Sequence, residues 1–169
     1  MGDVVRIRNG SDWKRLSEGD VPVYGSGGVM GFVGTAVHAG PSVLIPRKGS
    51  LGNLFFLDRS FWTVDTCFYT EMDMEQLNPK FLYYFLKTQE LEKLNVAGGV
   101  PSLTQTMLNK VLIPLVSLEM QLKIVRMLDH FDALTTSISA GLPAEIEARR
   151  KQYEYYRDQL LTFKELDVA

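Results

Sequence analysis

The sequence predicts an α+β protein: a small, twisted β-rich unit with packed helices over residues 1–116, followed by a long helical, coiled-coil stalk over 117–169. Three observations carry that prediction. Up to about residue 116, apolar residues come in short extended runs separated by Gly, Pro or Ser. One helical pattern interrupts those runs. From Ser117 the apolar spacing changes to alternating fours and threes, a seam of heptad type.

"DVVRIRNG" alternates and ends in Asn-Gly, a turn signal. "VPVY", "VMGFVGTAV", "SVLIP", "NLFFLD" and "WTVDTCFYTEM" read as further strands. "NPKFLYYFLKTQELEKL" opens with Asn78 as an N-cap and Pro79 at the first helical position. Its Phe81, Leu82, Phe85 and Leu86 recur at helical spacing, so this helix is expected to pack on the sheet. "VAGGVPSLTQTMLNKVLIPLV" then passes through a glycine loop and a short helical or turn segment to a last strand, "KVLIP".

Ser117 is the expected N-cap of the stalk, with Met120 where a full capping box would place Glu. Ile124, Leu128, Phe131, Thr135 and Ile138 form its first seam. Gly141 can close that helix and Pro143 can open a second, and Leu142 and Ile146 are four apart where the repeat wants three. A break near 141–143 is therefore expected, giving two helices or one kinked helix. The second carries Ile146, Arg149, Tyr153, Tyr156, Leu160 and Phe163, with Glu145–Arg149 and Glu147–Lys151 as favourable i,i+4 pairs. A helix of about 22 residues spans ~33 Å, too long for a small β unit to cover. Its stripe is expected to meet another chain or a second copy; an intrachain hairpin is the alternative.

A chain of 169 residues with 46% apolar content can bury a real core. Cys67 is its only cysteine, which excludes an internal disulfide and points to a reducing compartment. Cys67, His38 and His130 are too scattered for a zinc cluster. No apolar run approaches the ~18 residues of a membrane span and no signal-peptide pattern opens the chain, so a cytoplasmic protein without a membrane partner is expected. Net charge is −2, but its distribution matters more. Val21 to Leu57 contains no acidic residue, and Arg47 and Lys48 stand together within it. Phe61 to Pro79 carries Asp65, Glu71, Asp73 and Glu75 and no base. One face free of acids, suited to a polyanion, is compatible with this; so is chance clustering in a weakly charged segment.

The run "VYGSGGVMGF" (23–32) raises the question of nucleotide binding. Gly25 and Gly27 fit a dinucleotide fingerprint, but the third glycine, Gly31, comes one place late, and no Gly-Lys-Ser/Thr closes a phosphate loop. The residues C-terminal to this run read as strands and turns, with no helix to receive a pyrophosphate. Small-molecule chemistry on this loop therefore ranks last. No paired carboxylates, nuclease-type cluster or Ser/His/Asp set stands out, and no cofactor is expected on the chain.

The succession "IRNGSDWKRL", "VPVYGSGGVMG", "LIPRKGSLGN", "FWTVDTCFY", "FLYYFLK", "GGVPSLTQTMLNKVLIPLVSLEMQLKIVRMLDHFD" and "EIEARRKQYEYYRDQLLTF" resembles the DNA-specificity subunit of type I restriction–modification systems. The likeness covers nearly the whole chain and corresponds to one target-recognition domain followed by one conserved spacer helix region. In that family two such units lie in one polypeptide, related by a pseudo-twofold axis, and each reads one half of a split DNA site. The resemblance implies a non-catalytic chain that binds double-stranded DNA and docks methyltransferase subunits, joined by restriction subunits. S-adenosylmethionine and ATP would be bound by those partners. The Asn/Asp-Pro-Pro-aromatic motif of the associated adenine methyltransferases is missing, since "NPKF" has one proline. With one unit, the chain is expected to be a half-sized subunit pairing as a twofold homodimer, or part of a longer polypeptide. Its abrupt opening at "MGDVVRIRNG" suggests an incomplete N-terminus.

On that resemblance the glycine loop becomes a candidate for gripping DNA. Glycines let backbone N–H groups approach a phosphate closely, and Tyr24 and Ser26, beside Gly27, supply a ring edge and a hydroxyl. "PRKGS" offers Arg47 for a guanine edge, Lys48 for phosphate and Ser50 as a further donor. Lys14 and Arg15 are expected phosphate contacts. Ser102, Thr104 and Gln105 form a third polar loop, in which Gln105 could read adenine. Each of these residues also has a plain reading as a solvated turn residue. Ile146, Arg149, Tyr153, Tyr156, Leu160 and Phe163 are the expected dimer or subunit interface. The competing function is a coiled-coil scaffold whose β unit binds a protein.

Overall fold

Residues 1–94 and 102–161 are described by a computed structural model, with side chains described at all of these except 135–141, 143–144 and 157–161. They form two units, Met1–Arg126 and Met127 onward. The first contains two sheets. One has the order β1 (Val5–Asn9), β7 (Cys67–Met72), β4 (Ser42–Pro46), β5 (Phe55–Leu57), every neighbour antiparallel. The other has the order β3 (Gly28–Val33), β2 (Val21–Gly25), β6 (Trp62–Thr63), with β2 and β6 parallel.

β4 explains the run "SVLI". It lies between two strands and is buried on both faces: Val43 and Ile45 join the larger core, while Leu44 joins a second cluster with Tyr24, Leu57, Phe61 and Tyr69. A strand covered on both sides reads as continuously apolar rather than alternating. Its one polar member, Ser42, donates to Thr70 O at 2.8 Å, and Val43 N donates to Thr70 Oγ1 at 2.9 Å, so the buried hydroxyls are satisfied. The helix α1 (Pro79–Lys87) buries Phe81, Leu82 and Leu86 in the larger core. Asn78 caps it as expected, its side chain accepting from Lys80 N at 2.9 Å and Phe81 N at 3.0 Å. A 3-10 turn (Leu91–Leu94) and the short helix α2 (Gln105–Asn109) come next, the latter capped by Thr104.

Three expected elements differ. "WTVDTCFYTEM" is two strands, because Asp65 and Thr66 turn the chain between β6 in one sheet and β7 in the other. "KVLIP" forms no strand. Val111 N bonds back to Leu108 O, Val111 O accepts from the Met1 ammonium, and Pro114 has no N–H for a ladder; Val111 and Ile113 are apolar because they pack on the core. The break near 141–143 is also not found: α3 runs without interruption from Leu118 to Leu161. Proline removes one intrahelical bond, but the residues that follow it, Ala144 to Lys151, are mostly good helix formers, and ion pairs Glu145–Arg149, Glu147–Lys151 and Arg150–Glu154 at 2.8–3.1 Å brace the next turns.

The unit that begins at Met1 includes the first turns of α3. Ser117 Oγ accepts from Met120 N at 3.4 Å, so it does cap the helix. Val125 is buried in the larger core. Gln121, which has no distinguishing signal in the sequence, is fully buried: its Oε1 accepts from Asn78 N at 2.8 Å, and its Nε2 donates to Gln76 O at 2.9 Å and Val116 O at 2.8 Å. One amide thereby satisfies backbone groups from two segments.

Candidate nucleic-acid interface

The turn after β4 is held from both sides by backbone. Arg47 N donates to Thr66 O at 2.8 Å, Leu103 N donates to Arg47 O at 2.8 Å, and Lys48 and Ser102 form an isolated antiparallel bridge. Gly49 comes next with φ +83°, a left-handed conformation that glycine adopts without penalty. The β2–β3 turn lies against this segment: a Cβ at Gly49 would sit 3.3 Å from Ser26 Oγ. Asn53 Nδ2 donates to Ser26 O at 3.2 Å, and Ser26 N to Thr66 Oγ1 at 3.4 Å. Three loops that are distant in sequence, around Ser26, Arg47 and Ser102, are therefore joined.

Beside the Arg47 and Ser102 loops, over the ends of β1 and β7, lies a cleft of ≈ 320 Å³ lined by Asn9, Arg47, Lys48, Phe68, Ser102, Leu103, Thr104 and Gln105. It contains two cations and no carboxylate. The Arg47 guanidinium lies 5.8 Å from the centroid of the Phe68 ring, a cation–π arrangement that fixes a long side chain without neutralising it. Among the described residues neither Arg47 nor Lys48 is ion-paired. The nearby basic residue Arg8 differs: it pairs with Glu71 at 3.0 Å.

Several expected contacts are placed differently. Tyr24 is a core residue, only 7% exposed, with its ring 5.5 Å from that of Phe55. Its assignment to a surface contact is corrected; β2 lies where its side chains are covered on both faces, and Pro22 and Val23 are buried with it. Thr104 Oγ1 accepts from Met107 N at 3.2 Å, which occupies one of its two lone pairs and holds the hydroxyl at the helix start. Gln105 lines the cleft, and its Nε2 donates to Asn9 Oδ1 at 3.4 Å. Ser50 is exposed on the Arg47 turn. Gly27 sits at the hairpin tip with open space around its missing Cβ, so the fold itself does not demand a glycine there. Lys14 and Arg15 are exposed on a loop that docks through Trp13 against Gly31 of β3, and no described contact joins them to the cleft. The acid-free run is not acid-free in space, because Glu92 Oε1 lies against the position that a Cβ of Gly52 would take.

Sequence reasoning missed Asn9, Asn53, Thr66 and Phe68. Asn9 reads locally as a turn residue; its position opposite Phe68 in the β1–β7 ladder is a long-range fact with no local signal. Cys67 takes no part, since burial pushes its thiol up to about 12, with a smaller opposing effect from a hydrogen bond to Thr63. Among the described residues, no group of three or more His, Cys, Asp or Glu is placed to hold a metal ion, and no helix is long and apolar enough to cross a membrane.

On α3, Ile146, Tyr153 and Tyr156 are exposed, and Arg149 is exposed while paired with Glu145 at 3.0 Å. Tyr155 is a further exposed ring, its centroid 5.4 Å from that of Tyr156. Leu160 falls within the helix but its side chain is not described, and Phe163 lies outside the described residues.

Known proteins resemble this chain at the level of family, sequence and fold. Residues 1–148 match the model of the type I restriction modification DNA specificity domain. A type I specificity subunit of Mycoplasma pneumoniae is 30% identical over 171 residues, covering 95% of this chain and 56% of that protein. The EcoR124I/EcoR124II specificity subunit of Escherichia coli is 42% identical over 93 residues, covering 53% of this chain and 23% of that protein. The chain spans about half the length of these curated relatives, or less. Among solved structures, the specificity subunit from M. genitalium aligns with a TM-score of 0.65 at 23% identity, over 82% of this chain and 40% of that one. A chain from a study of complex assembly and conformational transition of the type I R-M system aligns with a TM-score of 0.71 at 23% identity, over 90% of this chain and 42% of that one.

Proposed function

Since the chain belongs to the type I restriction–modification DNA specificity family, we propose that its β-rich unit reads one half of a bipartite duplex site through the Arg47–Lys48 cleft. In this reading it is a non-catalytic subunit: methyltransferase subunits dock on it, restriction subunits join them, and those partners bind S-adenosylmethionine and ATP. A second unit of the same kind, supplied by a twofold copy, reads the other half-site, and the exposed residues of α3 around Tyr153 and Tyr156 pack against it. The observation that carries the proposal is the cleft, whose two cations are anchored by backbone from two other segments and face no carboxylate among the described residues. A fixed, unpaired Arg suits the edge of guanine, and an exposed Lys suits phosphate.

The test is binding by the assembled complex to duplex carrying the site recovered from the methylation pattern of a host that expresses it. The matched duplex is expected to bind on the order of 10³-fold or more tighter than scrambled duplex. Equal binding would remove the proposal. A second reading, a β unit that docks a protein, draws on the exposed Val29, Met30 and Phe32 of β3. It predicts affinity nearly independent of salt, whereas duplex binding weakens steeply as salt rises.

A further inference from the structure

The contact between Gln105 and Asn9 bears on what the cleft would read. Gln105 Nε2 spends one hydrogen on Asn9 Oδ1 at 3.4 Å, leaving its second hydrogen and its Oε1 as a donor–acceptor pair. That pair matches the N7 acceptor and N6 amino donor on the major-groove edge of adenine. A glutamine amide turns about a broad, roughly two-fold torsion, and a free one presents donor and acceptor in either order. Asn9 restrains that turn when its Oδ1 faces Nε2, and its backbone is held where it ends β1, opposite Phe68, the ring over which Arg47 lies. Asn9, Gln105 and Arg47 thus surround one buried platform, with Phe68 only 2% exposed.

We infer that Asn9 is a positioning residue that holds the Gln105 amide in the order that accepts adenine and rejects the other bases. This rests on the reading of the cleft as a duplex-DNA interface. The test is selection from a pool of randomised duplexes by the full chain assembled with its modification subunits, comparing wild type with Gln105→Ala, Asn9→Ala and Asn9→Asp. Thermal melts verify that each variant is folded, which the exposure of Asn9 favours. Wild type is expected to enrich adenine at one position. Gln105→Ala lowers that preference on the order of tenfold and leaves the other positions alone. Asn9→Ala lowers it several-fold at the same position. Asn9→Asp keeps it, because a carboxylate still accepts from Nε2, even if its charge weakens binding to all duplexes alike. The inference is overturned if Asn9→Ala leaves the preference intact, weakens every position equally, or acts at a different position from Gln105→Ala. A lost base other than adenine also overturns it. Enrichment of no sequence by wild type would sink the duplex-reading proposal itself, and this inference with it.

Discussion

The unit from Met1 to Arg126 and the part of α3 beyond it obtain their order in opposite ways. In the first, the important polar side chains reach across long sequence distances: Gln121 to Asn78, Asn53 to Ser26, Gln105 to Asn9. In the second, the described hydrogen bonds and ion pairs span three or four residues, and the described large apolar side chains from Met127 onward are exposed. A fold built on long-range contacts can hold a cleft at fixed geometry. A helix held by local pairs, each worth a few tenths of a kcal/mol, draws its remaining stability from whatever covers it.

The sharpest way to break this contrast is at Gln121. Replacement by Leu leaves Asn78 N, Gln76 O and Val116 O without their partner, and should lower the stability of the β-rich unit by roughly 2–4 kcal/mol in a urea titration. A change within ±0.5 kcal/mol would mean that water readily replaces the amide. If α3 carries the proposed twofold contact, Tyr153→Ala with Tyr156→Ala should leave the melting of that unit almost untouched while lowering the sedimentation coefficient towards that of a monomer. An unchanged sedimentation coefficient would place the self-association surface elsewhere.

Smaller effects sharpen the comparison within the first unit. Lys48→Ala should reduce the slope of log affinity against log salt by about 1, uniformly across sequences. Cys67 gives a pH signature. Its folded pKa, about 12, lies above the ordinary value of 9.0, so burial favours the neutral thiol. The resulting stability is fully present below pH 9 and is lost as pH rises towards 12. Cys67→Ala should flatten the stability profile in that window, and the native thiol should resist alkylation at pH 8 until the protein unfolds.

Locally determined features were legible in the sequence. Asn78 and Pro79 announce α1 because capping depends on adjacent residues, and "SVLIP" announces a strand, although its burial on both faces came only with the structure. The clustering of "GSGG", "PRKGS" and "SLTQ" was legible only as a set of polar loops, since their juxtaposition depends on pairings between strands far apart in the chain. Tyr24 misled because aromatic residues beside glycines look like a surface motif, and only the two-sheet arrangement covers that ring. Pro143 misled because a proline signals a boundary by its own chemistry, while α3 runs on through it into a segment of helix formers braced by i,i+4 ion pairs.

The central claim is that the Arg47 turn reads duplex sequence, and Arg47→Ala tests it most directly. In the assembled complex, affinities for matched and scrambled duplex are measured at one salt concentration. The variant is expected to lose about 1–3 kcal/mol on matched duplex and far less on scrambled duplex, so that discrimination between them narrows. An unchanged ratio of the two affinities, in a variant that melts like wild type, would contradict the claim.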